Sequence, residues 1–341
     1  TADAPRRAYV PSPGQRNVRF RHEVEHMLSG VLHASVIAGC ILTWMQAWIW
    51  ATVLLWCLLA WLNHAALTRL HEAAHGNLSR WRRLNEVQGQ LIGILSFTLL
   101  SVYRYVHSMH HAHLGRERDP EFWPYNITST SRARRIAYAW SELTIGWIFT
   151  PALYSLRTAR AWSNLSPRRR ARLGVEWSLL VIGWSAILLT MHLQSWWLQF
   201  IVGFLIAAWI AGTLQTLRKF IEHLGMHGDT ILSMTRTVVY ARWGGKAASR
   251  SQLHVDHHGK HHRWARIPYH RLPEVTPKAY GEDADARTFP SHIHAIADML
   301  PHLFNPTVGP QWISGRERVA ADRSRRSVRA DDAASSSDGK P

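Results

Sequence analysis

Two stretches of this 341-residue chain carry no Asp, Glu, Lys or Arg. Met27–Thr68 is 42 residues long and Trp177–Leu217 is 41. A membrane-spanning helix needs about 20 apolar residues, so each run holds two spans and a tight turn. The turns are expected near Trp44–Trp48 and Met191–Trp197, both flanked by tryptophan. Buried helices of a soluble core do not reach such lengths without charge. The sequence therefore predicts an all-α integral membrane protein with four transmembrane helices in two hairpins, about 27–68 and 177–217.

The remaining sequence is strongly basic, with 40 Lys and Arg against 23 Asp and Glu. Such a balance points to nucleic acid or to an anionic membrane surface. Eighteen tryptophans and nine tyrosines favour the membrane, because these side chains gather at bilayer interfaces; no nucleic-acid partner is expected. Basic residues fill the arm 1–26 and the segment RTARAWSNLSPRRRAR (157–172), and Arg69, Arg218 and Lys219 close the two runs. The positive-inside rule then places both termini, and everything between the hairpins, in the cytoplasm. Gly89–Val102 and Ile136–Leu156 are apolar but short or interrupted, and are expected to lie at the interface rather than to span. The polar end, 315–341, reads as a disordered tail. Two cysteines, Cys40 and Cys57, leave no disulfide framework, zinc ribbon or iron–sulfur motif.

Twenty-two histidines need a local explanation. His71 and His75, in HEAAH, continue the second span. HSMHH supplies His107, His110 and His111. HVDHH supplies His254, His257 and His258. On a helix, positions i, i+3 and i+4 share a face, so each cluster can aim its rings at one point. His223 follows the fourth span as His71 follows the second. HEAAH alone reads as a zinc-peptidase motif, with Glu72 as base. A catalytic zinc takes three protein ligands, however, and would leave most of these rings unused. The only Asp-Gly pair, Asp338-Gly339, sits in the tail, so the later motif of an intramembrane peptidase is missing. A metal transporter would carry its ligands at mid-membrane, whereas these flank the spans. Two metals with four or five imidazoles each account for all nine.

The three boxes, with HEAAHGNLSRWRRLNE, HHAHLGRERDPEFW and HHRWARIPYHRLPE around them, resemble the membrane fatty acid desaturase family. The resemblance runs from about Leu62 to Glu274, inside a single domain expected at 27–314. It implies a cytosolic helical cap over four spans and a pair of iron ions held by histidine. Matched by position, the ligands are His71, His75, His107, His110, His111, His254, His257 and His258. His223 joins them, with His227 one turn later as its alternative. In the acyl-CoA branch an asparagine lies four residues before this extra histidine; here that place is Lys219. The acidic neighbours Glu72, Asp119, Glu222 and Asp256 are expected to orient imidazoles through the second ring nitrogen. His113, His261, His262 and His270 read as supporting or surface groups. His64 either lines a substrate passage or packs through hydrogen bonds, and His33 and His192 read as incidental.

The resemblance implies O2-dependent desaturation of a lipid acyl chain, with O2 as co-substrate. The alternative on the same scaffold is a hydroxylase or ketolase of an acyl, alkyl or carotenoid chain. The chain carries no dinucleotide fingerprint and no haem domain, so electrons are expected from a separate ferredoxin or cytochrome b5-type donor. Removal of His110 or His257 is expected to abolish activity, and removal of His192 to leave it intact.

Overall fold

The computed structural model describes residues 20–275 and 287–313. The first nineteen residues of the basic arm and the whole of the tail 315–341 lie outside the described residues, while 20–26 already belong to the first helix.

Four helices are long and apolar enough to cross a membrane. These are α1 (Phe20–Met45), α2 (Ile49–His75), α6 (Pro167–Leu193) and the span Trp197–His223. That last span is built from α7 (Trp197–Phe200), a π-helical stretch (Ile201–Leu205) and α8 (Ile206–His223). Both turns fall where the tryptophans mark them, at 46–48 and 194–196. Every span outruns its charge-free run at the basic end, and α2 and α8 carry His71, His75 and His223 on those extensions. Leu54, Trp50, Ile182 and Leu189 stay exposed on the outside of the spans, as lipid-facing side chains do.

Thr52 Oγ1 donates to Thr43 Oγ1 at 2.9 Å near the first turn, and Arg69 donates to Ser29 Oγ at 2.7 Å near the other end. α6 instead leans on α3 (Arg82–Leu95) and α4 (Leu100–His113), while α8 packs on α2 and α5 (Arg132–Arg160). α3 and α4 together reach the length and apolarity of a span, but they are bent by 99°.

The carbonyls freed where the helices break are met by partners distant in sequence. α5 kinks at Ile145 and contains Pro151; a proline removes one helical hydrogen bond and obstructs another. The carbonyls of Glu142, Leu143 and Thr144 are taken by Thr216 Oγ1, Thr213 Oγ1 and Trp209 Nε1 of α8, at 2.9, 3.0 and 2.6 Å. Gly212 lets the two helices touch: a Cβ there would sit 2.4 Å from Trp147 Cβ and 2.8 Å from its Cα. Small residues at such crossings are the rule in membranes. In the π-helical stretch, Val202 O accepts from Trp56 Nε1 at 2.8 Å. A bilayer offers no water to do this.

The described residues are mostly helical, as expected, with one short pair of strands. Arg236–Val238 (β1) and Arg287–Phe289 (β2) pair in parallel, with Arg236 opposite Arg287. The described C-terminal part also holds the helices α9 (Trp243–Ser251), α10 (His258–Arg263) and α11 (His292–Met299).

Candidate metal centre

α2 ends on Gly76, whose φ of +75° is the left-handed conformation that closes a helix. Asn77 then ties the turn to the loop after α10, donating from Nδ2 to Ala265 O at 2.8 Å. α4 ends at His113, and the loop behind it folds back onto the helix. Asp119 accepts from Gly115 N at 2.8 Å and from Glu121 N at 2.9 Å. That turn carries both acids to the second histidine box.

The rings gather in two sets. His71, His75, His107, His111 and His261 place one ligand atom each within 4.8 Å of one another. His110, His223 and His262 do the same, as do Glu222, His223 and His258. α4 and α10 each feed both sets, and the sets abut where His111 and His262 stack at 4.2 Å.

Hydrogen bonds on the outer nitrogens set the tautomers. Nδ1 of His71 lies 3.0 Å from Glu72, Nδ1 of His107 3.0 Å from Glu121, and Nδ1 of His110 2.8 Å from Asp119. Nδ1 of His223 lies 3.0 Å from Met234 O, an oxygen that can only accept. A neutral imidazole that donates from Nδ1 keeps a bare lone pair on Nε2. Those Nε2 atoms face each other: His75–His107 at 3.0 Å, His107–His111 at 3.1 Å and His111–His261 at 3.2 Å. In the second set the steps are His223–His258 at 2.7 Å, His258–His262 at 3.0 Å and His110–His262 at 3.3 Å. Nε2 of His71 is buried with no hydrogen-bond partner among the described residues.

Lone pairs aimed at one another repel unless a cation lies between them. Metal–nitrogen bonds of about 2.1 Å at octahedral or tetrahedral angles give ligand–ligand edges of roughly 3.0–3.4 Å, close to the separations found. The donor set fits two metal ions. Burial and the neighbouring imidazoles push His258, His261 and His262 well below the ordinary histidine range, which keeps them in the neutral, ligating form. Burial alone would raise Glu121, but His110, His107 and Lys219 hold it well below the usual carboxylate range.

Seven of the nine histidines predicted from sequence stand in these sets: His71, His75, His107, His110, His111, His223 and His258. His254 and His257 do not. The i, i+3, i+4 argument needs a helix, and α10 begins only at His258. Leu253 and His254 have φ of +56° and +51°, a turn rather than a helix face. His254 Nδ1 pairs with Ser249 Oγ at 2.8 Å, and His257 Nδ1 is buried without a hydrogen-bond partner among the described residues. His261 and His262, read from sequence as supporting groups, take the positions in the sets. The signal was present: HVDHHGKHH contains the His-x-x-His-His spacing twice, four residues apart, and the second copy is the helical one. Gly259 allows it, since its N donates to Thr237 Oγ1 at 2.9 Å and a Cβ there would crowd Thr235 and Thr237.

Of the acids, Glu72 and Asp119 meet imidazoles, and Glu222 lies 3.4 Å from His258 Nδ1. Asp256 accepts from Ser249 Oγ at 2.7 Å and braces the turn instead. Glu121 was missed because it sits fourteen residues from His107, across a loop. His227 lies away from the sets, with Nε2 2.8 Å from Thr307 Oγ1. Lys219 forms a buried ion pair with Glu142, which Tyr125 also contacts at 3.1 Å.

A cavity of about 510 Å³ opens beside the first set. Glu121 and Tyr103 line its near end, and Tyr103 stacks on His107 at 5.1 Å. Phe204, Ala208, Gly212, Gln215 and Lys219 form one wall, which covers roughly 22 Å at about 1.5 Å per residue. His33, read as incidental, is part of the lining; His64 is not, and neither of its ring nitrogens has a partner among the described residues.

No curated protein matches the chain. The family model described as fatty acid desaturase matches residues 43–294, about three quarters of its length. With four apolar helices and two histidine sets beside a long cavity, this integral membrane protein belongs to the fatty acid desaturase family.

Proposed function

We propose that the protein is an O2-dependent desaturase of a lipid chain, acting at a diiron centre. The observation that carries this reading is a long apolar cavity whose near end, Tyr103 and Glu121, rests on the His107 ring of the first histidine set. His71, His75, His107, His111 and His261 would hold one iron, and His110, His223, His258 and His262 the other, with Glu222 at its edge. Such a centre supplies the electron transfers by which O2 removes hydrogen from an unactivated methylene. Per turnover, CH2–CH2, O2, two electrons and two protons give CH=CH and two waters.

The chain's own residues bind and orient. Leu70, Leu91, Ile92 and Phe204 exclude water from the hydrocarbon, which fixes one carbon pair beside the site. Tyr103 holds the His107 ring from above. Glu121 and Asp119 accept the Nδ1 protons of His107 and His110 and so keep each Nε2 directed inward. The spans are read as two hairpins beneath a cytosolic cap, with both termini and the centre in the cytoplasm, supported by the basic residues that close each run. Electrons come from a separate ferredoxin or b5-type protein.

Mass spectrometry of total lipids from cells expressing the chain and a compatible donor tests the reading, against His110→Ala. A species lacking two hydrogens, absent in the variant, is the expected result. A species one oxygen heavier would move the chain to the hydroxylases.

A further inference from the structure

We propose that Arg69 binds the anionic oxygens of the substrate's head group, a carboxylate or a phosphate, inside the cavity. The inference rests on the cavity being the substrate site proposed above and names the class of lipid it takes.

Arg69 lines a cavity whose walls are otherwise mostly apolar. Its described hydrogen bond goes to a neutral partner, Ser29 Oγ, at 2.7 Å, and its Nε is sealed from solvent with no partner among the described residues. Arg69 is half-buried, and a charge drawn partly out of water without a counter-charge is costly, so such groups are normally paired. The acids on adjoining turns are engaged elsewhere. Glu25 meets Arg250 at 2.6 Å and His22 at 3.1 Å; Glu23 accepts from Ser79 and Arg80; Glu72 meets His71. No carboxylate lies within ion-pair distance of Arg69 among the described residues.

A side chain serving only to anchor the helix would extend its guanidinium to water or lipid phosphate at the surface. Arg69 is turned toward α1 and the cavity instead, with His26 and His33 lining the same side. Gln88 adds an amide whose oxygen has no partner among the described residues, and turning that amide over would present its NH2 to an anion. The carboxylate of Glu121 lines the cavity as well, beside the metal ligands. A chain with an anionic end is therefore drawn head-first to Arg69 and repelled head-first from Glu121, which sets its direction of entry.

The test is equilibrium binding of tritiated stearate and of methyl stearate to the detergent-purified, metal-loaded full chain. The wild type should bind stearate about tenfold or more tighter than methyl stearate, the range of a charge-assisted hydrogen bond. Arg69→Met should reduce that ratio to about one and leave methyl stearate within about twofold, while Arg69→Lys restores part of it. Equal wild-type affinity for the acid and the ester overturns the proposal, and needs no variant to fold. So does Arg69→Met weakening both ligands alike. Competition by dioleoyl phosphatidate, lost in Arg69→Met, assigns the site to a phosphate head group; its failure, with stearate preference intact, assigns a carboxylate. None of these readings depends on turnover, so a chain that proves not to desaturate leaves the binding result standing.

Discussion

Glu121 and His107 meet through Nδ1 at 3.0 Å, fourteen positions apart in sequence. Glu121 also lines the cavity, so one side chain supports an imidazole of the first set and borders the proposed lipid chain. Glu121→Ala should lower metal content or activity by about 10- to 100-fold, the usual cost of removing a ligand's outer partner. Glu121→Gln keeps an acceptor for the Nδ1 proton and should lose less. Metal per chain and product formation, measured on both variants, check this order.

His261→Ala and His257→Ala separate the two readings of the third box. The first should lose metal and activity; the second should keep both near wild type. Metal-free His257→Ala protein would return the box to the earlier copy of the motif.

Gly212→Ala should lower the melting temperature in detergent, because its Cβ meets Trp147 backbone at 2.8 and 2.9 Å. Overpacking of this kind costs about 1–3 kcal/mol. Gly174→Ala, also in a span, meets nothing within 4 Å and should gain about 0.5–1 kcal/mol from helix propensity. Equal melting temperatures would mean that α5 and α8 are not in close contact.

Stripping the metal should also destabilise the protein, since ions that bind only the folded chain add to its stability by mass action. The melting temperature should fall on chelation and recover on adding ferrous iron. Chelation should cost His110→Ala less than wild type.

The spans were legible because absence of charge over forty residues has one cheap physical solution. The first two boxes were legible because His71/His75 and His107/His110/His111 lie on helices, where spacing becomes direction. At the third, the geometry gathers the second copy of the spacing rather than the first: nothing in HVDHHGKHH says where the helix begins. That is decided by the turn at Leu253–His254 and by the contact of Gly259 with β1, both tertiary. Glu121, the kink at Ile145 and the π-helical stretch were equally invisible, because each answers to a partner distant in sequence.

α4 sends His107 and His111 to one set and His110 to the other; α10 sends His261 to one and His258 and His262 to the other. The two positions are thus mounted on the same pair of struts. Filling either one fixes the pitch and separation of both helices, and so prepares the other. The ions should enter as a pair, and a partly loaded preparation should be a mixture of empty and full molecules rather than a population of half-filled ones.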